Sequence, residues 1–487
     1  MGDLRGGMDF RRGELVALAE PADRLAAGRV VLGLAGDGPG DEGGEGVAER
    51  WRVGRAVAAG SRLAWEGATG ACDVLPFSGR VVRVGEVAGG VGMSGGEAAR
   101  WAVEVEAERG LGGGSGEAGG DEDGAADGAG EMCRTWLDLQ APGGSEVADW
   151  VAAFGGTGPW PTVGHGAGLA GVLAAAAGRS VRRLICVGLD RFSPVADRSS
   201  LLGGFADDAA LGLRLLGEVL GARRSVMLVD REVRWSGAVR RACRRFSVQH
   251  RAVENAYPSA DPTVVIGAHT PGRARLKPGR DPLEAGVVLV EPWSVIRLAR
   301  WVTRGRLDVV RPTFVSWPTR RGGLSVRWAW PGEAVGGWLG VDAVGEAEVG
   351  AEVGDGGADR RRVVWGDAMG GEATGVVAWR SGERGEVVVG AGDRPGCWGQ
   401  VLSVLPWGEA ASASACVSCG WCVEVCPTRL WPIELLERSR SRPGEAQVRE
   451  ELSWCVDCGL CSHVCPSQIP LAEGLRSAAE RSVREAG

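Results

Sequence analysis

The apolar positions of this chain change rhythm along its length. Residues 1–102 carry short apolar runs separated by glycine. The clearest is VLPFSGRVVRVGEV at 74–87, where β-branched residues flank a Ser-Gly turn, a pattern that predicts a small β-rich N-terminal domain. From about 150, short apolar runs alternate with longer amphipathic ones. RRLICVGL (182–189), SVMLVD (225–230), VQHRAV (248–253) and AGVVLVE (285–291) read as strands. DDAALGLRLLGEVLGA (207–222) and REVRWSGAVRRACRRF (231–246) read as helices between them. Short apolar strands alternating with helices predict a parallel, doubly wound α/β sheet over 146–317. Strand-like runs then return as SVRWAW (325–330), RRVVWG (361–366) and GEVVVG (385–390). They predict a compact β-containing module over 318–404, and a last segment over 405–487 closes the chain.

Polar segments punctuate these units. Residues 103–145 form a Gly- and acid-rich insertion, including GGGSGEAGGDEDGAADGAGE, which cannot bury a core and is expected to be disordered. GDGPGDEGGEG at 36–46 and the stretch 344–359 are of the same kind. The longest uncharged stretch, 154–180, is long enough to span a bilayer. It is Gly/Ala-rich and interrupted by proline, so a loop followed by a buried helix is expected, and no transmembrane segment. The opening MGDLRGGMDFRRGEL lacks the apolar core of a secretory signal.

Charge narrows the function classes. The net charge of −7 over 487 residues is mild, and no basic stripe points to nucleic acid or anionic lipid. Lys277 is the only lysine. It lacks the glycine-rich context of a phosphate-binding loop, and nothing around it supports Schiff-base chemistry.

The strongest chemical signal is a repeat. CVSCGWCVEVCP at 416–427 and CVDCGLCSHVCP at 455–466 are both Cys-x2-Cys-x2-Cys-x3-Cys-Pro, and they hold eight of the 13 cysteines. Clustered cysteines in a chain without a secretory signal point to metal binding in a reducing compartment. The spacing is that of bacterial two-cluster ferredoxins, in which three cysteines of each run hold one [4Fe–4S] cluster and the fourth reaches the other. Cys416, Cys419, Cys422 and Cys465 are assigned to one cluster, and Cys455, Cys458, Cys461 and Cys426 to the other. The alternative is a pair of zinc ribbons, whose spacing is different. His463 needs no ligand role. Cys72, Cys133, Cys186 and Cys243 are dispersed and read as buried small hydrophobes. Of the 20 tryptophans, Trp421, Trp431 and Trp454 flank the two runs. They read as shields for the clusters, as ordinary packing, or as a docking face.

Taken together, the chain resembles RnfC, a peripheral subunit of the Rnf ferredoxin–NAD electron transport complex. That family is related to the NADH-binding flavoprotein subunit of complex I and to a cobalamin reductase. The resemblance spans nearly the whole chain apart from the acidic insertions. It is carried by CPSQIPLAEGLR after the second cysteine run, by VVWGDAMGG (363–371) and by PFSGRV (76–81). It implies an N-terminal lipoyl-like domain without an attachment lysine, a Rossmann-like domain, a β-grasp-like module and a C-terminal helical two-cluster ferredoxin domain.

The resemblance also implies an FMN and NADH site in the α/β domain. The family loop Gly-Gly-Ala-Gly-Phe-Pro-Thr corresponds here to Gly155, Gly156, Thr157, Gly158, Pro159, Trp160, Pro161 and Thr162. Gly164, His165 and Gly166 occupy the neighbourhood of a family lysine. In Asn-Gly-Ala-Glu-Cys-Glu-Pro, Asp190 stands for the first glutamate. In Tyr-Pro-x-Gly-x-Glu, Tyr257, the only tyrosine, falls on the family position. Gly155, Gly156, Gly158, Thr162, Asp190 and Tyr257 are therefore the candidate cofactor-binding residues, and no catalytic side chain is assigned. The expected function is electron transfer in a membrane-associated oxidoreductase on the cytoplasmic face. Its partners would be membrane subunits and ferredoxin. Two alternatives stand beside it: a non-enzymatic wiring subunit with an empty α/β domain, and a soluble corrinoid reductase.

Overall fold

The computed structural model describes residues 29–34, 51–58, 61, 75, 78–92, 98–107, 160, 162–165, 168–190, 197–231, 236–270, 275–304, 310–317, 323–329, 333, five short strands between 352 and 387, 401–406 and 412–484. Residues 103–107, expected to open a disordered insertion, instead complete a strand with the preceding apolar residues, and 352–353 of the stretch 344–359 form a short strand; the rest of the acidic insertions lies outside the described residues. The N-terminal unit is built from β1 (Arg29–Leu34), β2 (Ala56–Val57), β3 (Gly79–Gly92) and β4 (Ala98–Ala107). β4 pairs antiparallel with both β1 and β3. Alternate residues Val30, Leu32 and Leu34 of β1 meet Val103 and Val105 of β4, Val81 of β3, and the fully buried Trp51 and Leu75. This is the period of two that a sheet with one buried face requires. The Ser-Gly turn leads into β3 where strands crowd: a Cβ on Gly79 would lie 2.5 Å from the Glu106 carbonyl oxygen.

The α/β unit follows in the order α1 (Leu169–Ala176), β5 (Arg183–Gly188), α2 (Asp197–Gly204), α3 (Ala206–Val219), β6 (Ser225–Asp230), α4 (Ser236–Arg245), β7 (Gln249–Val253), α5 (Pro262–His269), β8 (Val287–Val290) and α6 (Pro292–Arg304). The four strands are parallel in the order β7-β6-β5-β8. All four expected strands are present, within two residues of the expected bounds. The apolarity of β5, β6 and β8 follows from the layering, while β7, Gln-His-Arg-Ala-Val at the edge of the sheet, is exposed or half-buried along its length. Leu184, Cys186, Met227, Val288 and Val290 face one core, while Ile185, Val187, Val226, Leu228 and Leu289 face the other. Both faces are covered, so no polar alternation survives. Helices α3 and α6 pack so closely that a Cβ on Gly212 would lie 1.8 Å from the Val295 carbonyl oxygen. The stretch 154–180 contains no spanning segment among its described residues; α1 buries Leu169, Val172, Leu173 and Ala176. No helix among the described residues is long and apolar enough to cross a membrane.

The remaining strands are β9 (Arg311–Trp317), β10 (Gly323–Ala329), β11 (Glu352–Val353), β12 (Arg361–Trp365), β13 (Glu372–Ala373), β14 (Val376–Trp379), β15 (Glu386–Val387) and β16 (Val401–Pro406). A sheet of order β10-β9-β16-β12-β11 forms, with β13 on β12. β9, which the sequence places at the end of the α/β domain, pairs with β10 and β16. β14 pairs with β3, so this region also extends the N-terminal sheet. Both pairings join residues far apart in sequence, which local periodicity does not report. Trp328 of β10 packs edge-on against Trp293 of α6 and Phe205, fastening this sheet to the α/β unit.

The C-terminal unit is helical: α7 (Trp421–Glu424), α8 (Pro432–Ser441), α9 (Ala446–Leu452), α10 (Leu460–His463) and α11 (Leu471–Arg484). Leu435, Leu436, Val448, Leu452, Leu471 and Leu475 form its core with Cys422.

Candidate functional site

The two cysteine runs fold alike. Each cysteine of the first run has its counterpart 39 residues later, and the starts of α7 and α10, and of α8 and α11, keep the same offset. The backbone repeats with it. Ser418, Gly420 and Arg429 adopt positive φ, and so do Asp457, Gly459 and Gln468 at the equivalent positions. Such φ values are costly for non-glycine residues, and their repetition marks loops shaped around a common centre. Backbone N–H groups point at sulfur. Ser418 N–H donates to Cys416 Sγ (3.4 Å) and Leu430 N–H to Cys426 Sγ (3.3 Å). Asp457 and Leu460 N–H groups donate to Cys455 and Cys458. Donors aimed at sulfur favour thiolate, which is the ligand form of cysteine.

The sulfurs act on one another through their fields. Burial pushes the Cys455 thiol up to about 11 and those of Cys458 and Cys461 to about 12, and in all three the neighbouring Cys426 adds to the rise. Cys422 also acts on Cys461, so Cys422 and Cys426 of the first run both lie near the second. Burial also raises Cys422, whose thiol neighbours are Cys419 and Cys416. The thiols of Cys455, Cys458 and Cys461 resist ionisation, and iron, which withdraws charge from a thiolate, suits such donors. Among the described residues no three His, Cys, Asp or Glu side chains are gathered closely enough for a single metal ion. The two runs differ in setting: Cys416 and Cys419 are exposed, whereas Cys455, Cys458 and Cys461 are half-buried. Trp421 and Trp431, with Val417, are more than half exposed and lie outside the core. His463 is exposed on α10. Cys186 and Cys243 are buried as expected, and burial raises both thiols; Cys72 and Cys133 lie outside the described residues.

The second site lies at the carboxyl ends of the parallel strands, where the order of β5 and β8 reverses the winding and α/β proteins place ligands. Asp190 follows β5, Asp230 ends β6, Asn255 follows β7 and Glu291 follows β8. Asp190 accepts hydrogen bonds from Ser199 N–H (2.9 Å), Ser199 Oγ (2.7 Å) and Asn255 Nδ2 (3.3 Å). The buried Arg198 donates to Glu291 Oε1 (2.6 Å) and to the Leu189 carbonyl (3.2 Å). Burial raises Asp190 to about 6 despite its donors. Burial, with the charge of Asp190 added, raises the neighbouring Asp197 to about 8. Carboxylates outnumber the one guanidinium, so this group holds a proton near neutral pH.

Gly155, Gly156 and Gly158 lie outside the described residues. Thr162 is buried, bridged to Val290 of β8. His165 accepts from Leu289 N–H at Nε2 (2.9 Å) and lies 2.7 Å from Asp281 Oδ1 at Nδ1. It pins the loop to β8, and Nδ1 carries the proton. Asp281, pushed up by burial, is held below its usual range by the bonds from His165 and Leu283 N–H. Tyr257 Oη donates to the Cys458 carbonyl (2.9 Å). The described candidates for flavin or nicotinamide are thus committed within the protein, beside an anionic cluster that disfavours a pyrophosphate. As placed, Thr162, Asp190 and Tyr257 do not fit that group. Sequence reasoning missed Asp197, Arg198, Asn255 and Glu291, none of which stands in a recognisable motif. It also left Lys277 without a role, although its singularity was a signal.

Residues 415–469 match the family model of a 4Fe-4S dicluster domain. The C-terminal unit is therefore an iron–sulfur domain of the electron-transfer class. No curated protein matches the chain. Among solved structures it is similar to an NAD+-reducing [NiFe]-hydrogenase in the air-oxidized state, at 14% identity and a TM-score of 0.39 over 72% of this chain and 66% of that one. The H2-reduced state of such a hydrogenase gives 15% identity and a TM-score of 0.40 over 72% and 64%. This chain spans just under two thirds of the length of those chains.

Proposed function

We propose that this chain is the electron-transfer subunit of an oxidoreductase and carries two [4Fe–4S] clusters. Cys416, Cys419, Cys422 and Cys465 hold the first; Cys455, Cys458, Cys461 and Cys426 hold the second. The repetition of the four-cysteine spacing, and of its positive-φ backbone at Ser418, Gly420 and Arg429 and again at Asp457, Gly459 and Gln468, carries this reading, because two such runs are the mark of the two-cluster arrangement. When bound, each cluster accepts and passes one electron. The protein contributes N–H donors that stabilise the anionic ligand set, and the seat between the second run and the α/β unit.

The RnfC resemblance extends this to a peripheral place on the cytoplasmic face of a membrane, with membrane subunits and ferredoxin as partners. The commitment of Asp190 and Tyr257 to internal bonds favours a wiring role for this subunit over flavin chemistry of its own. Iron and flavin measured on one anaerobic preparation test both points. About eight irons per chain and flavin well below one are expected. An iron content under about six would refute the two-cluster assignment, and one flavin per chain would refute the wiring role.

A further inference from the structure

The only tyrosine and the only lysine of this chain meet the iron–sulfur domain at one junction. Tyr257, on the segment after β7, donates its hydroxyl to the Cys458 carbonyl at 2.9 Å. Lys277 Nζ lies 2.6 Å from Glu450 Oε2 on α9, and 5.7 Å from the centre of the Trp454 ring beside Cys455. Arg275 stands over the same ring at 6.0 Å, and Trp454 Nε1 donates to Glu450 Oε1 (3.2 Å). On the first run, Cys416 and Cys419 are exposed.

We propose that Tyr257 and Lys277 are positioning residues that seat the α/β unit on the second cluster and raise its reduction potential relative to the first. This rests on the two-cluster reading above. An O–H donated to a ligand's carbonyl withdraws electron density from the peptide beside the cluster, and a chain of hydrogen bonds passes that polarisation on. The more negative, reduced cluster gains most from it. Lys277 and Glu450 are both substantially exposed, and such pairs contribute little to stability. Their effect is on position, and on compensating a carboxylate that would otherwise face the ring beside Cys455. The segment that carries Tyr257 also carries Asn255, which binds Asp190, so the carboxylate group of the sheet and the second cluster hang on one stretch of chain.

Two measurements on the full-length protein test this. A zero-length carbodiimide cross-link should join Lys277 to Glu450, identified by mass spectrometry; with one lysine the product is unambiguous. Its absence from the native chain overturns the seat. Redox titration followed by electron paramagnetic resonance, with Cys426→Ser assigning the second cluster's signal, then reads the two potentials. Tyr257→Phe should disfavour reduction of the second cluster three- to tenfold, about 30 to 60 mV for a one-electron couple, and leave the first unmoved. Lys277→Gln, at an exposed pair that contributes little to stability, should shift the same cluster in the same direction. Unchanged potentials in both variants, or equal shifts of both clusters, overturn the tuning role. Iron counted beforehand separates this from failure of the two-cluster reading, which the cross-link does not depend on.

Discussion

Asp197→Asn should stabilise the α/β unit at alkaline pH and do little at acid pH. Asp197 is 2% exposed, one of its oxygens has no hydrogen-bond partner, and Asp190 and Glu291 stand near it. In the unfolded chain its carboxyl ionises at its ordinary value of 3.8; in the fold, burial and then Asp190 raise it to about 8. Below about pH 4 the group is protonated in both states and costs nothing. Between about 4 and 8 the folded state keeps a proton that the unfolded state has released, so stability falls as pH rises, and it levels off above about 8. Each unit of that window is worth at most ~1.4 kcal/mol, and relaxation of the surroundings reduces it. An asparagine cannot ionise. The variant should therefore gain about 2–3 kcal/mol on wild type between pH 5.5 and 8.5. Amide exchange of β5, corrected for the intrinsic effect of pH, reports the local unfolding free energy at each pH. Parallel profiles for the two proteins would refute the reasoning.

Asp190→Asn removes a carboxylate that burial holds at about 6 and whose charge raises Asp197, so it should likewise flatten the fall of stability between about pH 4 and 8 in the same exchange assay, while Ser199 and Asn255 share one acceptor oxygen in place of two. Gly212→Ala places a methyl 1.8 Å from the Val295 carbonyl oxygen; forcing α3 and α6 apart should cost about 1–3 kcal/mol in chemical denaturation. His165→Leu keeps the volume but strands Leu289 N–H and Asp281, and should lose about 2–4 kcal/mol in the same experiment. Cys426→Ser should alter the resonance signature of the second cluster, and Cys465→Ser that of the first; the reverse pattern would invert the ligand assignment.

The sequence made β5, β6 and β8 legible because each is a short, largely apolar run between helices, as burial on both faces of a sheet requires; the edge strand β7 was legible from its place in the alternation. SVMLVD matches β6 residue for residue. The cysteine repeat was equally legible, since cluster ligands are spaced by local backbone geometry. What stayed hidden was non-local. No local pattern says that β9 leaves the α/β sheet to pair with β16, or that β14 joins β3. The carboxylate group was hidden for the same reason: its members come from the ends of different strands and meet only when the sheet forms. Asp190 and Tyr257 were found through family likeness, but their partners, Ser199 and the Cys458 carbonyl, belong to this fold.

The exposure of Cys416 and Cys419, set against the half-burial of their counterparts, has a consequence for survival outside a reducing cell. Oxygen and peroxide attack iron–sulfur centres through the ligands they can reach. The first run presents Cys416 and Cys419 to them, although its Cys422 and Cys426 are buried, while Tyr257 and Lys277 of the α/β unit reach the second run at Cys458 and beside Cys455. Two centres built from one duplicated sentence should therefore age at different rates. Air exposure should bleach the chain in two phases, with a long-lived form that retains half its iron. The working lifetime of the protein would then be set by whatever covers Trp421 and Trp431 in the cell.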